Sequence, residues 1–146
     1  MPQSLPLFRQ QEWSANPVSY YFSKIVDKDF DQAIADVTEN LKSEGFGVLT
    51  QIDVSTTLKN KLDVDFRRYH ILGACNPVYA HKALTEEDKV GTMLPCNVIV
   101  QQLDDGRVEV AAVDPIASMS GIDNPRLGAI ANEVRDKLKK VIDLLS

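Results

Sequence analysis

The chain has 146 residues, 44% hydrophobic and 25% charged, enough for one sizeable core and too few for two comfortable ones. Its net charge of −5 comes from 21 acidic and 16 basic side chains with no long basic run, which argues against a nucleic-acid backbone as partner. No apolar run approaches the roughly 18 residues that span a bilayer, and residues 1–10 lack the charged start and apolar stretch of a secretory signal, so no membrane partner and a cytoplasmic location are expected.

Residues 1–18 are rich in Gln, Ser, Asn and Pro around Leu7, Phe8 and Trp13, without periodicity, and read as an N-terminal arm. Trp13 would anchor it to the body or to a second subunit. Residues 19–146 then form a single domain, whose first strand is the aromatic and polar run from Ser19 to Ile25. Phe30, Ala33, Ile34, Val37 and Leu41 recur at the spacing of one helical face. Asp29 with Gln32 resembles a capping box, and Gly45 supplies the stop.

Phe46 to Asp53 reads as a buried strand, and a short helix from Ser55 carries Leu58 and Leu62. Arg68 to Cys75 resumes as a strand with Tyr69, Ile71 and Leu72, after which Asn76-Pro77 suits the cap and first position of a short helix over Val78, Ala80, Ala83 and Leu84. Asn97 to Leu103 and Arg107 to Val113 flank Asp104-Asp105-Gly106, a hairpin signal because Asp-Gly tolerates positive φ.

Beyond Asp114-Pro115 an irregular stretch runs through Met119 and Gly121. Asn124-Pro125 opens the last helix, with Leu127, Ile130, Ala131, Val134, Leu138, Val141, Ile142 and Leu145 on its apolar face. The expected fold is α+β, in the order strand, helix, four strands, helix, with a short helix inserted. This makes a mainly antiparallel sheet with two long helices on one face. Val48, Ile71, Val98, Val100 and Val110 should share the core with those helices.

The two cysteines of the chain each precede an asparagine where an apolar strand meets a turn, and they are the best candidates for chemistry. If the strand ending at Cys75 pairs antiparallel with the one beginning near Cys96, the thiols become neighbours. Cys75 also stands before a helix whose dipole and free N–H groups favour a thiolate. Against this, free cysteine more often packs as a small hydrophobe, and the spacing fits no zinc or redox motif.

Asp53 and Asp114 each close an apolar strand, where a carboxylate acts as a base or caps the next turn. Alternation puts His70 on the opposite sheet face from Cys75, and His81 falls among polar neighbours, so no metal site is expected. Lys59, Lys61, Arg67 and Arg68 read as solvated surface rather than an anion site. The candidate site is thus Cys75, Asn76, Cys96 and Asn97 with Asp53 and Asp114. No phosphate loop, nucleophile elbow or paired catalytic histidine appears, so no catalytic residue or cofactor is assigned.

Four ordered motifs carry a family resemblance: Gly45-Phe46-Gly47-Val48-Leu49 with Ile52-Asp53, Ile71-Leu72-Gly73-Ala74-Cys75-Asn76-Pro77, Leu94-Pro95-Cys96-Asn97-Val98, and Asp114-Pro115. From about Tyr20 to Leu145 the chain resembles the bacterial and archaeal domain-of-unknown-function family 302. The resemblance implies a curved sheet like that of the TATA-binding-protein class, a homodimer, and no established activity. Three functions remain open: a dimeric module binding a small molecule near Cys75 and Cys96; a thiol-based redox, sulfur-handling or soft-metal protein; and a structural or interaction protein with inert cysteines.

Overall fold

A computed structural model of the chain describes residues 19–146, and the expectations for the N-terminal arm and Trp13 lie outside the described residues. Five strands, β1 (Tyr21–Val26), β2 (Gly47–Asp53), β3 (Tyr69–Cys75), β4 (Cys96–Gln102) and β5 (Val108–Val113), form one sheet in the order β1-β5-β4-β3-β2. Every neighbouring pair is antiparallel. Two long helices, α1 (Phe30–Ser43) and α5 (Pro125–Asp143), pack on one face, as expected for an α+β fold. Between strands lie α2 (Val54–Leu62), α3 (Pro77–Glu86), a short 3₁₀ segment (Asp88–Met93) and the one-turn α4 (Pro115–Ser118).

Local chemistry sets these boundaries. Asp29 Oδ1 accepts from the Gln32 N–H at 2.8 Å, half of the expected capping box; the Gln32 side chain instead donates to Asp36. At the other end of α1, Gly45 takes φ 87° while its N–H donates to Lys42 O and that of Phe46 to Leu41 O. This paired closure needs a residue that tolerates the left-handed region. Gly106, with φ 90°, turns the hairpin between β4 and β5.

The core lies between the sheet and the long helices. Val98, Val100 and Val110 meet Val37, Leu41, Leu138 and Val141 there, all fully buried. Three expectations are corrected. Ile71 pairs with Ile52 and Ile99 out of phase with the core, so Leu72 and Ala74 take its place. The Phe46–Asp53 segment is an edge strand rather than a buried one, with Leu49 69% and Ile52 47% exposed; only its start, Phe46 and in part Val48, reaches the core. The stretch after Asp114, read as irregular, contains α4. Among the described residues no helix is long and apolar enough to cross a membrane.

Candidate functional site

The antiparallel order brings the start of β2, the end of β3, the start of β4 and the end of β5 to one end of the sheet. Gly47 pairs with Cys75, Ala74 with Cys96, and Val98 with Ala112, two residues before Asp114. The segments leaving these ends, α3 and α4, lie against α5, and between them is a half-open cavity of about 300 Å³. Cys75, Asn76 and Cys96 all line it. Because Ala74 rather than Cys75 stands opposite Cys96, the two thiols sit on adjacent strands one residue out of register.

The walls are otherwise almost wholly apolar. Ala80 and Ala83 on α3 face Ala131 and Val134 on α5, and Phe46 and Leu94 lie between. Three alanines at facing positions leave space that larger side chains would fill, which is how two packed helices come to hold a cavity. Sequence patterning flagged Ala80, Ala83 and Ala131 as apolar face residues only; the signal missed was their smallness.

Burial shapes the thiols differently. Cys75 is half-buried and Cys96 buried, and both are free. Loss of hydration pushes the Cys96 thiol up to about 11, with the nearby Cys75 adding to the effect, so Cys96 is a neutral S–H at physiological pH.

Asn76 was expected to cap α3 with its side chain, and it does not. It occupies the cap position, with Pro77 next and its carbonyl accepting from Ala80 N–H. Its Nδ2 instead donates 3.2 Å to Glu44 O at the end of α1, tying that helix to the cavity wall. Asn124, in the same Asn-Pro context, does cap, with Oδ1 accepting from Arg126 N–H.

The other expected site residues lie elsewhere. Asp114 is buried beside the cavity, where its Oδ1 accepts from Ile116 N–H as the cap of α4 and its Oδ2 accepts from Arg135 at 3.4 Å. Only the following Pro115 lines the cavity. Asn97 is exposed, paired with Gly73, and borders a groove on the opposite sheet face with Tyr21, Tyr69, Gln101 and Glu109.

Asp53 sits at the far end of β2, about 20 Å from Gly47 at the rise of an extended strand. It caps α2 through Thr56 N–H at 3.0 Å, and its carboxyl is held down at about 2, chiefly by that bond and further by the Ser55 and Thr56 hydroxyls and His70. His70 bridges it to the core face, at 3.4 Å from Asp53 and 3.0 Å from Gln51. Of the basic cluster, Lys59 pairs with Asp63 and Asp65, Arg67 with Gln101, and Arg68 with Asp31.

The comparisons with known proteins bear on the family and the fold. The model of a domain of unknown function, DUF302, matches residues 22–145. The chain belongs to the DUF302 family. The chain is similar to an uncharacterized conserved DUF302 protein from Bacillus stearothermophilus, seen in a crystal structure. The two are 31% identical with a TM-score of 0.83, over 88% of this chain and 100% of that one. No curated protein matches. The DUF302 match begins one residue into β1, so the arm lies outside it.

Proposed function

We propose that this DUF302 chain is a binding module for a small apolar molecule held between α3, α5 and the end of the sheet. The observation that carries the reading is the cavity, whose volume of about 300 Å³ is at the lower end of the range for small-molecule sites and whose lining is apolar. By volume it admits about ten waters, yet its walls offer them few partners, which favours an organic occupant. The test is titration with the neutral fluorophore N-phenyl-naphthylamine. The wild type should show saturable enhancement, and Ala80→Phe, which fills the space from α3, should weaken it by about 10-fold or more without lowering the melting temperature. Unsaturable binding by the wild type, or equal binding by the variant, refutes the reading.

The working unit in this proposal is a pair of copies apposed through the sheet face opposite the long helices. That face carries Tyr21, Ile25, Ile71, Ile99, Val113 and Ile52 across all five strands, and three of them (Tyr21, Ile25 and Ile52) are exposed. Its one charged strand residue, Glu109, is held in place by a 2.7 Å bond from the neutral Gln101 amide and keeps its charge, so the apolar residues of the face carry the pairing. Light scattering should give twice the 16.2 kDa chain mass, and a concentration-independent 16.2 kDa rejects the pair.

A further inference from the structure

Resting on that reading, we propose that the occupant of the cavity is a neutral molecule with an apolar body and one hydrogen-bond-donating group, which Asn76 Oδ1 receives. Two independent observations lead there. First, no Lys, Arg, His, Asp or Glu lines the cavity. An ionised group entering it leaves water without a counter-charge, at a cost of many kcal/mol in the limit of full burial. The buried Cys96 thiol, raised to about 11, reports the same penalty on a negative charge placed in this wall.

Second, the wall's polar side chains are few, the hydroxyls of Thr50 and Tyr79, which can turn to donate or accept, and Asn76, whose amide is held in one orientation. Asn76 is only 9% exposed, and the carbonyl of Glu44 can only accept, so the amide atom facing it is nitrogen and the other terminal atom is Oδ1. Oδ1 receives no hydrogen bond from a described residue, while no fully buried side-chain nitrogen or oxygen among them is left unpartnered. Oδ1 is therefore not sealed off from a small probe, and we place it on the cavity that Asn76 lines. A fixed acceptor in an apolar surround selects a ligand that brings a donor, since a ligand without one leaves that oxygen dry. A hydroxyl or an amide N–H meets the requirement; a carboxylate, which brings a second acceptor and a charge, is disfavoured twice.

The test displaces N-phenyl-naphthylamine from the wild type at pH 7 with four compounds of matched length: octanol, its isomer methyl heptyl ether, octanoate and octylammonium. Octanol should bind tightest, the ether about 5- to 10-fold more weakly for want of a donor, and the two ions at least about 30-fold more weakly. Asn76→Leu should bring octanol and the ether to equal affinity; if that variant does not fold, the wild-type series decides alone. Equal affinity of octanol and ether for the wild type overturns the assignment to Oδ1 while leaving an apolar cavity intact. Octanoate binding as tightly as octanol overturns the requirement for neutrality. Saturable probe binding that none of the four displaces places the failure in the cavity reading beneath.

Discussion

The two thiols give the sharpest test of how burial governs the site, because the chain holds no other cysteine and each can be isolated by replacing its partner with serine. In Cys75→Ser only Cys96 remains, with a pKa of about 11. At pH 8 about 0.1% of it is thiolate, against about 24% of an unstructured cysteine of pKa about 8.5, a deficit of about 240-fold. The more basic thiolate is the stronger nucleophile, and over about 2.5 pH units a Brønsted slope of 0.4–0.5 restores about 10- to 18-fold. Ionisation alone thus slows Cys96 by about 13- to 24-fold relative to an unstructured peptide, and its 8% exposure slows it further. Reaction with dithiodipyridine, followed by absorbance on native protein, reads this directly. The Cys96 rate should climb about tenfold per pH unit up to pH 10, while Cys96→Ser, which retains the more accessible Cys75, should react first and fast. A Cys96 rate equal to that of the peptide at pH 8 would show that the sulfur is hydrated, and the account of the cavity as a low-dielectric space would fail.

Other parts of the fold make separate predictions. Leu138 is fully buried between α5 and the sheet, so Leu138→Ala should cost about 2–5 kcal/mol in urea unfolding with an unchanged m-value; the exposed Asn132→Ala on the same helix should stay within about 0.5 kcal/mol. A loss below 1 kcal/mol at Leu138 would refute the helix register. A Cβ on Gly73 would lie 2.2 Å from Thr50 Oγ1 and 2.8 Å from Pro95 Cγ. Gly73→Ala should therefore destabilise by about 1–3 kcal/mol, with Thr50→Ala recovering part of the loss; additive single and double variants would show that the two do not touch. For Asp53 the folded pKa of about 2 lies below its ordinary 3.8, so the carboxylate's contribution is complete above pH 4 and is lost as pH falls towards 2. Asp53→Asn should flatten that acid limb of the melting temperature, and an unaltered limb would assign it to other carboxylates.

Much of the architecture was legible because α1 and α5 repeat apolar residues at helical period over several turns, and because β4 and β5 alternate cleanly around Val98, Val100, Val108 and Val110. The sheet went wrong where alternation is ambiguous. Ile71 and Leu72 are adjacent apolar residues, and nothing local says which faces the helices; pairing with Ile99 and Val98 decides it. In β2 the register shifts between Val48 and Thr50, which breaks the phase that would have marked Leu49 as exposed. The site was half legible for a different reason. Asn76 and Asn124 present the same Asn-Pro signal, but the first lies within reach of Glu44 O from a distant helix, and a tertiary partner takes the side chain away from the cap. A cavity made by Ala80, Ala83 and Ala131 leaves no motif at all, since it consists of what those residues lack.

The same geometry weighs the thiol alternative against the ligand reading. A soft metal held by both sulfurs needs both as thiolates, and Cys96 must then release a proton held up to about 11 within an apolar wall. At neutral pH that proton costs about 5 kcal/mol before any metal–sulfur bond forms, and no basic side chain lines the cavity to balance the charge that results. A disulfide avoids the charge but needs a two-electron oxidant to activate one sulfur, and then either Cys96 must attack as a thiolate or the oxidised Cys96 must be attacked by Cys75 across strands one residue out of register. An apolar guest meets neither obstacle, because burial and the absence of counter-charge, which penalise a thiolate, are the conditions that retain a neutral molecule. The features that quiet the chemistry of Cys96 are therefore the ones on which the proposed binding site rests.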